Sequence, residues 1–282
     1  MQVPNTGAQR ASSHRSARLV AFPILALVIA LGGLSASPTP AAAASVKVVI
    51  VVGPVESSTA HYKSAAKSYA ALARKYGASV TEIYSPKATW ARVKAAAKGA
   101  NIFIYLGHGN GSPSPYGAFS ALRRNGVGLN ASSGDGHRNV KYRGQWWVRR
   151  GLDLAKNSVV LLNHLCYASG NSEPGRAKPT KATAKKRADG YGTGFFRAGA
   201  RAVFANGHGS LRSIIEDLLT SDKSMGQIFQ DDPAFDGGRD FKFASKKTSF
   251  STVWMDPESN RRYYHAVSGK LSLDASQVRA GN

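Results

Sequence analysis

Residues 46–52 read VKVVIVV, an unbroken β-branched run of the kind a parallel sheet buries on both faces. Gly53 and Pro54 end it. Ser58 and Thr59 stand where helix N-caps do, ahead of a segment in which Tyr62, Ala65, Ala66, Tyr69 and Leu72 recur at helical spacing. The pattern predicts a helix over 60–76, closed by Gly77, and an alternating strand over 79–84 (SVTEIY). Pro86 breaks the chain, and 89–98 has the spacing of a second amphipathic helix. Residues 101–106 (NIFIYL) then form a third strand that runs into Gly107-His108-Gly109. Strand and helix alternate as β-α-β-α-β, which implies right-handed crossovers and a parallel sheet of the α/β class.

The periodicity fades over 110–151, where Gly, Ser, Asn and Pro are dense. A stretch this long without elements is functional or disordered, and the aromatic-basic patch at 142–150 (YRGQWWVRR) argues for an ordered loop packed over something. Regularity returns at 158–165 (SVVLLNHL), a buried strand that delivers Cys166 at its carboxyl end. Residues 170–189 carry Arg176, Lys178, Lys181, Lys185, Lys186 and Arg187, and predict a second long loop, exposed and flexible. A short helix over 191–198 turns Phe195 and Phe196 to the core. Residues 202–205 form a strand reaching Gly207-His208-Gly209, 211–219 a helix, and 250–254 and 262–267 short strands.

The N-terminus divides the chain. Residues 1–18 hold Arg10, Arg15 and Arg18 and no acid; 19–34 are apolar, broken by Pro23 and a Gly-Gly pair; 35–44 are small residues. That is the order of a secretory signal peptide, with cleavage near Ala43 or Ala44, and the apolar run is short of the roughly 20 residues that span a bilayer. The expectation is a secreted, extracytoplasmic protein with one domain over 45–282. Cleavage removes three arginines and takes the net charge from +22 to +19. Such a surface suits an anionic cell-wall polymer or an acidic partner. No helix-turn-helix, zinc-finger or RNA-binding signature accompanies the charge, so no specific nucleic-acid partner is expected.

A single cysteine in an exported chain has no internal disulfide partner. By count alone Cys166 reads as a small buried hydrophobe; its position points to chemistry. Ligands of open parallel sheets sit outside the carboxyl ends of the strands, where Gly107-His108-Gly109, His164-Leu165-Cys166 and Gly207-His208-Gly209 all fall. A thiol becomes nucleophilic when an imidazole takes its proton, and glycines beside that imidazole admit substrate backbone and free an N–H for an oxyanion. His108 and Cys166 stand 58 residues apart in the chain.

Three blocks, 102–109 (IFIYLGHG), 159–170 (VVLLNHLCYASG) and 192–205 (GTGFFRAGARAVFA), resemble the clan CD cysteine peptidases: caspases, legumains, gingipains, clostripain and CHAT domains. The likeness spans about 46–219. It implies a caspase-like three-layer αβα sandwich with a mostly parallel central sheet, and an endopeptidase needing no cofactor or metal. His108 matches the general base, Cys166 the nucleophile, and the backbone N–H groups of Gly109 and Cys166 the oxyanion hole. Gly107, His164, Glu173 and His208 are candidate pocket residues, with Asp153 and Asp189 as further acids that could select a basic substrate side chain. Leu165 and His164 depart from the family, which has Ala before the cysteine and, in caspases and legumains, Gln or Glu one residue earlier. The basic segment 176–187 falls where caspases carry their processed linker. Its cleavage and its persistence as a solvated loop are both open readings.

Other readings compete. His108, His164, Cys166 and His208 are ligand types for zinc, but without the tight spacing of a zinc motif. A catalytically inactive caspase-fold protein could use Trp146, Trp147 and neighbouring arginines to hold a wall polymer or glycan. No G-x-S-x-G elbow supports a serine hydrolase.

Overall fold

A computed structural model describes residues 45–281. The expected signal peptide, 1–44, lies outside the described residues. Among the described residues no helix is long and apolar enough to cross a membrane.

The first half follows the sequence pattern closely: β1 (Lys47–Val52), α1 (Thr59–Lys75), β2 (Ser79–Tyr84), α2 (Trp90–Ala97) and β3 (Ile102–Leu106). Then come a pair of antiparallel strands, β4 (Val127–Asn130) and β5 (Val140–Arg143), and helix α3 (Gln145–Gly151). The chain continues through β6 (Ser158–Asn163), α4 (Lys181–Tyr191), α5 (Thr193–Arg197), β7 (Ala200–Asn206), α6 (Arg212–Thr220) and α7 (Met225–Gln230). It ends with β8 (Phe241–Ala244), β9 (Thr252–Asp256), β10 (His265–Gly269) and α8 (Ala275–Ala280).

Eight strands form one mixed sheet in the order β2-β1-β3-β6-β7-β10-β9-β8. The first five are parallel, and β10, β9 and β8 are added antiparallel, each to its neighbour. From β1 the chain winds outward to β2, then crosses to the other side for β3. The sequence of strands therefore reverses between β1 and β3, which opens a crevice at their carboxyl ends. Strict alternation along the strands divides the core. Val48, Ile50, Ile102, Ile104, Leu161 and Phe204 pack under α1, α6, α7 and α8, while Val49, Val51, Phe103, Tyr105, Leu162 and Val203 pack under α2, α3 and α5. Helices thus cover both faces.

The two predicted long loops are shorter than expected. Within 110–151, β4, β5 and α3 are regular, and the aromatic-basic patch is β5 running into α3. Arg143 lies over the Trp147 ring at 4.5 Å and Arg150 over Trp146 at 4.9 Å, so guanidinium groups already cover these rings. Residues 170–189 are not one exposed loop, because α4 starts at Lys181. Its Ala184 and Ala188 pack against Val253, Met255 and Ala266. Arg187, expected in solvent, is buried and donates to the carbonyls of Pro113 (2.8 Å) and Asn171 (2.7 Å). An exposed stretch remains at 174–178.

One row of polar side chains interrupts the core under α1 and α6. Asn163, Asn206, His265 and Asp256 are the last pairs on β6, β7, β10 and β9, side by side and buried. The Tyr69 hydroxyl donates to Asn163 Oδ1 at 3.1 Å, and His265 stacks on Phe229 with Nδ1 3.7 Å from Asp256.

Candidate active site

The loops after β3 and β6 meet at the carboxyl edge of the sheet, the first of them bordering the crevice. After β3 the chain turns through Gly107, whose φ of +155° and close neighbour leave no room for a side chain: a Cβ there would lie 2.4 Å from the Tyr105 hydroxyl. That hydroxyl donates to the Gly128 carbonyl at 2.6 Å and accepts the Gly128 N–H at 3.0 Å, which pins β4 beside the loop. Gly128 N–H is also 3.2 Å from the His108 carbonyl. His108 thereby lines a cleft of roughly 720 Å³ together with Tyr116, Phe119, Tyr142 and Glu173; Cys166 is not among its lining residues.

The predicted strand ending at Leu165 in fact ends at Asn163. His164 (φ +59°) and Tyr167 (φ +73°) take left-handed backbone on either side of Cys166, an arrangement costing about 1–3 kcal/mol per residue and found where structure over-determines it. Here Asn171 Oδ1 accepts the Tyr167 N–H at 2.7 Å, and Ser169, fully buried, donates to the Tyr263 carbonyl at 2.8 Å. The Cys166 loop packs directly on the His108 loop: a Cβ on Gly109 would lie 2.2 Å from the Cys166 carbonyl oxygen. Neither the Gly109 N–H nor the Cys166 N–H has a hydrogen-bond acceptor among the described residues. Among those residues no hydrogen bond joins the His108 ring to the thiol either.

The electrostatics favour the neutral forms of Cys166 and His108. Burial, reinforced by Glu173, pushes the Cys166 thiol up to about 11. Burial lowers His108 below the ordinary imidazole value, against the pull of Glu56 and Glu173. Tyr142 is pushed up to about 12, mainly by burial and then by Cys166. A thiol held neutral needs a base to take its proton before it becomes a nucleophile.

The other candidates separate. Glu173 lines the cleft and bonds to the Tyr116 hydroxyl and Arg176 (3.0 Å). Asp153 lies at the opposite rim, where its carbonyl accepts Gly99 N–H ahead of β3. Asp189 is buried and accepts from Ser245 and from the Lys246 N–H at 3.1 Å, so it is not free to meet a basic side chain. His164 lies on the α1 side, its ring stacked on Tyr62 at 4.8 Å. His208 is exposed, paired with Glu258 and packed against Tyr264. Among the described residues no group of three or more His, Cys, Asp or Glu is placed to hold a metal ion. Sequence reasoning missed Ser169 and Asn171, which hold the cysteine loop. It read Tyr62 only as one position of a helical stripe and assigned Tyr142 no part in the site.

His164 gives a pH prediction. Burial first, then His61 and His208, lower it to about 4. Between pH 6.5 and 4 the unfolded chain binds a proton that the folded protein refuses. Stability is therefore lost as the pH drops through that window, by on the order of 1–2 kcal/mol once its partial exposure is discounted. His164→Asn, which tolerates the same backbone, should flatten the dependence of the urea midpoint between pH 7 and 4.5. An unchanged slope counts against a neutral buried His164.

Comparison with family models, with curated proteins and with solved structures finds no match to this chain.

Proposed function

We propose that the protein is an exported, caspase-like cysteine endopeptidase that hydrolyses peptide bonds with Cys166 as nucleophile and His108 as base. The observation that carries this reading is the packing of Gly109 on the Cys166 carbonyl, beside two backbone N–H groups without acceptors. In the reaction His108 takes the thiol proton as sulfur bonds to the scissile carbonyl carbon, and the oxyanion is received by the Gly109 and Cys166 N–H groups. His108 then passes its proton to the leaving amine. Water, deprotonated by His108, hydrolyses the thioester and returns the proton to sulfur. The mixed sheet, parallel over its first five strands and covered by helices on both faces, with the proposed reacting groups at its carboxyl edge, suits a caspase-like sandwich. Export rests on the sequence of residues 1–44. With α4 formed, processing of the basic segment would be confined to the neighbourhood of Arg176 and Lys178.

One observation favours the second reading, a catalytically inactive binding protein on the same scaffold: the thiol near 11 has no hydrogen bond to His108. Iodoacetamide separates the two, because one cysteine makes intact mass an unambiguous count. At pH 7.5 wild type is expected to label at least about tenfold faster than His108→Ala. Equal rates would favour the inactive scaffold.

A further inference from the structure

A second cavity of roughly 520 Å³ lies beyond the cleft, and Phe119, half exposed, lines both. Its charge is one-sided. Lys186 from α4 and Lys246 and Lys247 from the turn after β8 line it, and none of the three has a carboxylate partner among the described residues. The one acid in the lining, Asp189, is consumed by the turn itself: it accepts from Ser245 and the Lys246 N–H, while the Ser245 hydroxyl accepts the N–H groups of Lys247 (3.0 Å) and Thr248 (3.0 Å). A buried carboxylate thus builds the turn that presents two lysines, and its charge is spent on backbone rather than on their side chains. The floor is polar and incompletely paired. Asn125, 4% exposed, lines the cavity with Oδ1 lacking a partner, and the buried Thr193 hydroxyl also lacks one. Buried polar groups left in this condition are the ones a ligand would satisfy.

We infer that this cavity binds carboxylate side chains of an acidic peptide segment, which lies across Phe119 and extends from the cleft lined by His108. Three ammonium groups supply the charge, and the unpartnered Thr193 hydroxyl and Asn125 Oδ1, closed to solvent, are reached only when the lining side chains shift. Only the choice of a peptide as ligand rests on the peptidase reading; the preference for anions rests on the cavity.

The test uses fluorescein-labelled octapeptides in which a Glu-Glu pair is moved along an otherwise neutral sequence, each with a Gln-Gln counterpart. Binding is read by anisotropy at 150 mM salt on a Cys166→Ala background, so that cleavage does not interfere. At one or more positions the Glu-Glu peptide is expected to bind at least about tenfold tighter than its Gln-Gln partner. That preference should fall below about twofold in Lys186→Ala/Lys246→Ala/Lys247→Ala, yet persist in Lys67→Ala/Lys94→Ala/Lys156→Ala, which removes the same charge from exposed positions elsewhere. No preference at any position, or equal loss in both triple variants, overturns the inference. A preference that persists while wild type cleaves no peptide would sink the peptidase reading and leave the acidic-peptide site standing.

Discussion

Cys166→Ala is expected to lower peptide-bond cleavage by at least about 1,000-fold, and His108→Ala by about 100-fold or more. The reason lies in the thiol. With Cys166 pushed up to about 11, only about one molecule in 10,000 carries a thiolate at pH 7, so sulfur depends on a base at the moment of attack. His108, lowered by burial, is neutral there and able to accept. This fixes the form of the pH profile as well as its height. Wild-type labelling should lose rate only below the depressed His108 value and stay nearly level from pH 7 to 9. In His108→Ala, the residual rate should climb about tenfold per pH unit toward 11, because ionised thiol is then the only route. Parallel profiles in the two proteins would remove His108 from the chemistry.

The second large effect is expected from Gly109→Ala. The added methyl would meet the Cys166 carbonyl oxygen at 2.2 Å and the Tyr191 hydroxyl at 2.9 Å. The first is backbone held between two left-handed residues, and the second is buried and donates to the Gly126 carbonyl at 2.6 Å, so neither yields cheaply. The loops must part, separating imidazole from thiol and turning both free N–H groups. Turnover should fall about 100-fold, with a stability loss of about 1–3 kcal/mol that leaves the fold intact. Gly238→Ala, where the nearest atom is 3.6 Å away, is the control and should change neither. Full activity in Gly109→Ala would mean that the two loops do not act as one site.

Much of the sheet is legible in the sequence because its strands are buried on both faces and so read as apolar runs: β1, β3 and β6 have hardly any polar positions. Helix α4 is hidden for the opposite reason. KATAKKRADGY buries two small alanines, a glycine, an arginine and an aspartate whose hydrogen bonds go to other parts of the chain, and a tyrosine only at its last position, so no helical stripe of large apolar residues marks it. The rim positions of His108 and Cys166 could be read because each follows a predicted strand. The tyrosines around them, and Asn171 and Ser169, come from α1, α4, β5 and the cysteine loop itself, which only folding brings together. Asp189 shows the limit most clearly: its type suggested a pocket acid, and its partners make it the anchor of a lysine-bearing turn.

The buried row of Asn163, Asn206, His265 and Asp256 bears on how the central strands find their alignment. A run such as SVVLLN could slide along ARAVFAN by one residue with little loss of apolar contact, since both faces of the sheet are greasy. The polar row forbids it, because a slip would turn Asn163 into the apolar face beneath α3 and α5 and cost it the Tyr69 hydroxyl. These side chains act as index marks across four strands, and the strand they fix most directly is the one whose end carries Cys166.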